Sequence, residues 1–244
     1  MFKRCHISYL FYLGLVLVSY FCPISYTNGD EKLSSQQFLD KARKNHPVDT
    51  WGILEGEVTH KRKGSETVTA PIEFAIRFTA SRVLAKITIN KDETYTVGQP
   101  YSETQPSVIT DDGSLAIASL ANFGLRPEDL TMTFLWWKFK QELEETSVKG
   151  MNCRVFLLEN PETKENVKIY IGSDYFYPIE IEWFKPEGKE AYRTCFINSF
   201  KEVDKLWTPD SFTLTGPGWR TNVDFDSGKI RLGFVSEGIP KDLF

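Results

Sequence analysis

The stretch from Asp129 to Gly216 constrains the fold more than any other part of the chain. Its residues fall into short runs of alternating apolar and polar side chains: SVKGMNCRVFLLENP, NVKIYIGSDYFYPIEIEWF, AYRTCFINSFKEV and LWTPDSFTLTG. A period of two sends one set of side chains to each face of a strand. Tyr177, Ile179, Ile181 and Trp183, for example, alternate with Glu180 and Glu182. Turn residues separate the runs at Lys149-Gly150, Asn160-Pro161, Gly172-Ser173-Asp174, Pro186-Glu187-Gly188 and Asp204-Lys205. Connections this short join antiparallel neighbours. The stretch therefore predicts a meander, in full course from Glu142, with one apolar and one polar face. The segment DLTMTFLWWKF ahead of it puts Leu130, Phe134 and Trp137 at i, i+4 and i+7, one apolar stripe of a helix. Pro127 suits the first helical position, with Glu128 and Asp129 in the first turn, where the helix dipole favours acids.

The same alternation recurs upstream. WGILEGEVTHKRK reads as a strand, then Ile72, Phe74, Ile76 and Phe78 share one face against Glu73, Ala75 and Arg77. Val83, Ala85, Ile87 and Ile89 do so in the next strand, and the turn Asn90-Lys91-Asp92 leads into TYTVG. Before these strands lies one helix, LSSQQFLDKARKN. Ser34 caps it with Gln37 as the return partner of a capping box, while Leu33 and Phe38 form a hydrophobic staple. Phe38, Leu39 and Ala42 give a narrow apolar stripe, and Pro47 ends the helix. Residues 98–113 form a connection closed by Asp111-Asp112-Gly113, and SLAIASLANFG predicts a short helix ending at Gly124. SFTLTG and RTNVDFD are the last strands, and the tail IRLGFVSEGIPKDLF is irregular, tied down by its aromatic end.

The chain has 244 residues, enough for one domain with a real core. Residues 1–27 read as a signal peptide: Lys3 and Arg4 precede an apolar run from Ile7 to Phe21, and cleavage would follow Thr27 or Gly29. This makes the protein exported and periplasmic, or held at the inner membrane if the leader stays as an anchor. Residues 28–32 form a short disordered lead, and 28–244 form a single domain. Phe21 ahead of Cys22 argues against lipidation, because a lipobox wants a small residue there. Beyond the leader only Cys153 and Cys195 remain. They either pair as a disulfide, as exported cysteines do, or stay as buried thiols.

Chemistry is sparse. His46 and His60 have no partner at metal-ligand spacing and read as solvated or strand-surface residues. No nucleophile elbow, P-loop or dinucleotide fingerprint occurs. Glu180 and Glu182 share a strand face, as an acid/base pair or, more simply, as a solvated edge. A net charge of -4 with scattered basic residues gives no surface for nucleic acid. The expectation is a monomeric non-enzyme without cofactor.

The helix SQQFLDKARKN, the segment PEDLTMTFLWWKF, KGMNCRVFLLENP, KIYIGSDYFYPIEIEWFKPEGK, FKEVDKLWTPDSFTLTG and the closing GIPKDLF resemble, in order and spacing, the LolA-like outer-membrane lipoprotein-sorting family. The resemblance spans roughly residues 34 to 244. It implies a mainly β (α+β) fold: a strongly curved antiparallel sheet forming an open half-barrel, closed on one side by short helices. It also implies that lipid or lipoprotein acyl chains occupy the apolar hollow, with an inner-membrane transporter or an outer-membrane acceptor as partner. Relatives on the same fold act instead as regulatory modules that bind an envelope protein. Phe74, Ile76, Phe78, Ile87, Phe134, Trp137, Ile179 and Ile181 are the residues expected to line the hollow; otherwise they close into an ordinary core. Burying one long acyl chain at about 0.8 kcal/mol per methylene gives roughly 10 kcal/mol before association costs. Trp136 and Trp137 stand either at the mouth or in the helix's core stripe and flank. The family's carriers hold their lid helices with an inward arginine. Arg77 and Arg82 lie near suitable strands, but alternation puts Arg77 on the polar face, which leaves that role unassigned.

Overall fold

The structure, a computed structural model, describes residues 32–45, 48–91, 93–105, 107–109 (backbone only) and 120–244. The leader with Cys22, residues 28–31, His46, Pro47, Asp92, the Asp111-Asp112-Gly113 turn and the first part of the SLAIASLANFG helix lie outside the described residues.

The capping signals at Ser34 start helix α1, Ser35–Arg43. Gln37 N–H donates to Ser34 Oγ at 3.3 Å, and Ser34 N–H donates to Gln37 Oε1 at 2.9 Å. The expected stripe of Phe38, Leu39 and Ala42 is buried. The alternating runs become thirteen strands of one sheet. In chain order these are β1 (Thr50–Arg62), β2 (Val68–Phe78), β3 (Arg82–Ile89), β4 (Glu93–Pro100), β5 (Ser107–Ile109), β6 (Lys138–Val148) and β7 (Met151–Glu159). They continue with β8 (Asn166–Gly172), β9 (Pro178–Phe184), β10 (Ala191–Val203), β11 (Leu206–Gly216), β12 (Trp219–Phe225) and β13 (Arg231–Phe234).

Spatial order is β5-β4-β3-β2-β1-β12-β11-β10-β9-β8-β7-β6, and every pairing is antiparallel. The sheet does not close: β5 and β6 are its two edges, and β13 pairs with the first part of β1. This is a half-barrel of mainly β structure with few short helices. All five expected hairpins of the meander are present, though the meander starts at Lys138, ahead of Glu142. The tail differs from expectation. Part of it is strand β13, and Leu243, not the terminal aromatic Phe244, is the buried anchor, packed on Ile53 and Ala75 of the outer face.

Register fixes which side chains face inward. One row runs Phe156, Ile169, Ile181, Cys195, Leu214, Thr221, His60 across seven neighbouring strands. In a second, Leu54 faces Phe74 and Phe74 faces Ile87. Gly56 lets β1 lie against β12 at the point where its partner changes from β13. A Cβ there would sit 2.1 Å from the Asp224 carbonyl oxygen and 2.7 Å from Phe225 Cα. Among the described residues no helix is long and apolar enough to cross a membrane.

The predicted helix over Leu130, Phe134 and Trp137 is broken in two. Helix α2 covers only Pro127–Leu130, Met132 adopts a left-handed conformation (φ 50°), and a 3-10 turn follows over Thr133–Trp136. The cause is local. Thr131 and Thr133 hydroxyls bond each other at 2.9 Å, and Thr133 donates to Gln99 Oε1 of β4 at 2.7 Å. Threonine hydroxyls that find such partners compete with a continuing helix. Substituting Gly56→Ala should cost about 2–3 kcal/mol through backbone overlap. Urea unfolding checks this, and an unchanged midpoint would remove the close-approach argument.

Candidate functional site: an apolar hollow open at one rim

The inner face encloses a cavity of about 720 Å³. This lies within the usual range for ligand pockets, roughly 300–1,000 Å³. Phe74, Ile76 and Phe78 of β2, Ile87 of β3, Phe134 of the 3-10 turn and Ile179 and Ile181 of β9 all line it. Trp137 does not. It is buried at 2% exposure in the core beside the cavity, while its neighbour Trp136 lines the wall and stacks on Tyr101 with ring centroids 5.7 Å apart. Breaking the helix at Met132 accounts for the exchange, because the i+7 position no longer shares a face with Leu130. Phe134 packs edge-on against Trp183 at 5.5 Å.

The two ends of the hollow differ. One rim carries the β7–β8, β9–β10 and β11–β12 turns, and residues 120–137 plug it. Leu125 N–H donates to Leu120 O and Gly124 N–H to Ala121 O, closing a helical turn at Gly124, where φ is +69°. Trp219 lies so near that a Cβ on Gly124 would stand 2.8 Å from its ring. Arg193 of β10, only 2% exposed, holds α2 down. Its guanidinium forms a two-pronged ion pair with Asp129, donates to Gly124 O at 3.2 Å and lies over the Trp183 ring at 4.4 Å. Arg126 adds bonds to Glu165 and Tyr192. Arg193, not Arg77 or Arg82, is thus the arginine that holds the α2 segment against the sheet. Its signal was its alternation with Cys195 and Ile197.

His60 is buried at 4% exposure on the inner face, which corrects its reading as a surface residue. Arg62 Nε donates to His60 Nε2 at 3.1 Å, so Nδ1 carries the proton and donates to Thr221 Oγ1 at 2.7 Å. Thr221 in turn donates to Phe123 O of the plug. Burial and the nearby Arg62 charge both hold the His60 pKa below its ordinary value. Even-numbered positions Leu54, Val58 and His60 already shared this face in sequence.

The opposite rim, formed by the β8–β9 and β10–β11 turns and the end of α1, is uncapped. Tyr175 and Trp207 line the cavity there yet are 67% and 65% exposed. Asn45 donates to Tyr175 O at 2.6 Å.

Cys153 and Cys195 are free and buried. The sheet order places β8 and β9 between their strands, a separation of about 14 Å at ~4.8 Å per strand. A disulfide tolerates at most ~7 Å between Cα atoms, so the pairing alternative is corrected. Burial, with Asp129 nearby, pushes the Cys195 thiol up to about 12. Glu182 is engaged with Lys168 at 2.6 Å and Tyr170 at 3.0 Å on a central strand, not an edge. Among the described residues no group of three His, Cys, Asp or Glu could hold a metal ion.

No family model matches the sequence, and no curated protein does. Solved structures do match. A DUF1329 family protein from Desulfovibrio piger superposes with TM-score 0.62 at 14% identity, covering 83% of this chain and 92% of that one. An outer membrane lipoprotein-sorting protein domain from Vibrio parahaemolyticus gives 0.61 at 11%, covering 84% and 93%. A LolA superfamily protein from Nitrosomonas europaea gives 0.57 at 13%, covering 87% and 97%. Sheet order and hollow define a single-sheet half-barrel with an apolar interior. The chain has the LolA-like fold.

Two outcomes follow from this geometry. Arg193→Met leaves Asp129 without its partner and should lower stability by about 3 kcal/mol or more, read by denaturant unfolding; a loss under about 1 kcal/mol would mean the pair does not hold the plug. Because folded His60 titrates below the ordinary 6.5, its contribution is complete above pH 6.5 and is lost as pH falls through that value toward the folded pKa. The wild type should lose up to about 1.4 kcal/mol per pH unit there relative to His60→Gln. Parallel pH profiles of the two proteins would contradict the assignment.

Proposed function

We propose that this chain is a non-catalytic, periplasmic binding protein that holds acyl chains of lipids or lipoproteins in its hollow. Its role on this reading is outer-membrane lipoprotein sorting or transport. Export by the leader, residues 1–27, belongs to the same proposal, as does a monomeric state. The observation that carries it is the cavity of about 720 Å³, walled by aliphatic and aromatic side chains and open at one rim. A regulatory module working only through a protein partner needs no such empty volume. The fold shared with a lipoprotein-sorting protein domain from Vibrio parahaemolyticus supports the same direction. Transfer from water into such a wall stabilises a long acyl chain by roughly 10 kcal/mol before association costs, a level that allows both uptake and release.

A fluorescent long-chain fatty acid analogue should bind with a Kd in the micromolar range or below. Ile76→Trp and Phe74→Trp, which fill the hollow from β2, should weaken binding at least about tenfold while circular dichroism stays unchanged. Equal affinity in wild type and filled variants would place the probe elsewhere.

A further inference from the structure

The hollow is polarised, and the polarisation specifies how an occupant sits. At the plugged end every polar group that reaches the wall is already bonded. Asp129 is engaged by Arg193, and Thr131 by Thr133, which itself donates to Gln99. Between that end and the mouth the wall is apolar, from Phe134 and Trp183 through Ile181 and Cys195 to Ile197. A charged or strongly polar head carried to the plugged end would lose its hydration and find no free partner there, a cost of several kcal/mol. The mouth differs in kind. Tyr175 and Trp207 combine an apolar body with a polar edge, stay well exposed, and stand beside Asn45, Asp174 and Lys205. Such rings suit the boundary between hydrocarbon and water.

Resting on the acyl-binding reading above, we propose that the ligand is an acyl amphiphile bound tail inward. Its methyl end lies toward Phe134 and Trp183, and its polar head stays outside the rim between Tyr175 and Trp207. Because the head is not enclosed, the site selects for the chain and tolerates heads from a bare carboxylate to a peptide.

Spin-labelled stearates carrying the quencher near the carboxylate or near the methyl end test this by tryptophan fluorescence. In wild type both labels should quench. In Trp207→Phe, a change at an exposed position, the carboxylate-side label should lose most of its quenching, while the methyl-end label, quenching Trp183, should keep its own. Carboxylate-side quenching that survives the substitution, or methyl-end quenching that vanishes with it, would overturn the orientation. A second arm separates the sources of the chain. A palmitoylated peptide should displace the stearate with a Kd within about tenfold of that of palmitate. Displacement by palmitate alone would show that the head is enclosed and refute the open rim. If no stearate binds at all, the acyl-binding reading falls together with this one, whereas binding in the reverse sense removes only the orientation.

Discussion

The structure depends on one imbalance: a thirteen-stranded sheet with an apolar inner face has too little helix to fill it. Rolled into a half-barrel, such a sheet turns rows such as Phe156, Ile169, Ile181, Cys195 and Leu214 inward. Against them the described residues offer one nine-residue helix, the turn at Leu120 to Gly124, and the broken α2 segment. Helix α1 covers the β6–β7 side, where Phe38 stacks on Phe156 at 5.5 Å and Arg154 binds Glu142 and Leu33 O. The rest of the inner face stays unfilled and becomes the hollow. The open volume is therefore a consequence of architecture rather than of any one residue.

Polar contacts decide where that volume opens. Arg193, Arg126 and the Arg62–His60–Thr221 chain all act at one rim, each tying the 120–137 segment to the sheet. Buried charges and hydrogen bonds of this kind contribute little net stability against apolar replacements. What they supply is position, because each partner is costly to leave unpaired. No comparable network spans the other rim among the described residues, where aromatic side chains meet solvent. An apolar hollow with one fixed end and one open end is suited to a cargo with one apolar and one polar end.

Much of this was legible in the sequence, and the failures have physical causes. Period-two alternation located the strands, and turn residues located the hairpins. The box of Ser34 and Gln37 marked α1, because both features rest on neighbouring residues. Seven of the eight expected lining positions do line the cavity. The exception, Trp137, followed from a helical period that two threonines interrupt through hydrogen bonds, one of them to the distant Gln99. His60 and Arg193 were misjudged or overlooked because polarity was taken to mean an outward face. Their own alternation with Val58 and Cys195 placed them inward. The two cysteines could not be resolved in sequence at all, since only strand order reveals the two strands between them.

The central claim is that the hollow is a site for acyl chains and not merely an unfilled core. Native mass spectrometry of the chain purified from cells that produce it, with organic extraction of whatever it carries, tests this most directly. The account predicts mass adducts that extract as lipid or lipopeptide. A bare mass that stays bare after long-chain acyl amphiphiles are added would contradict it.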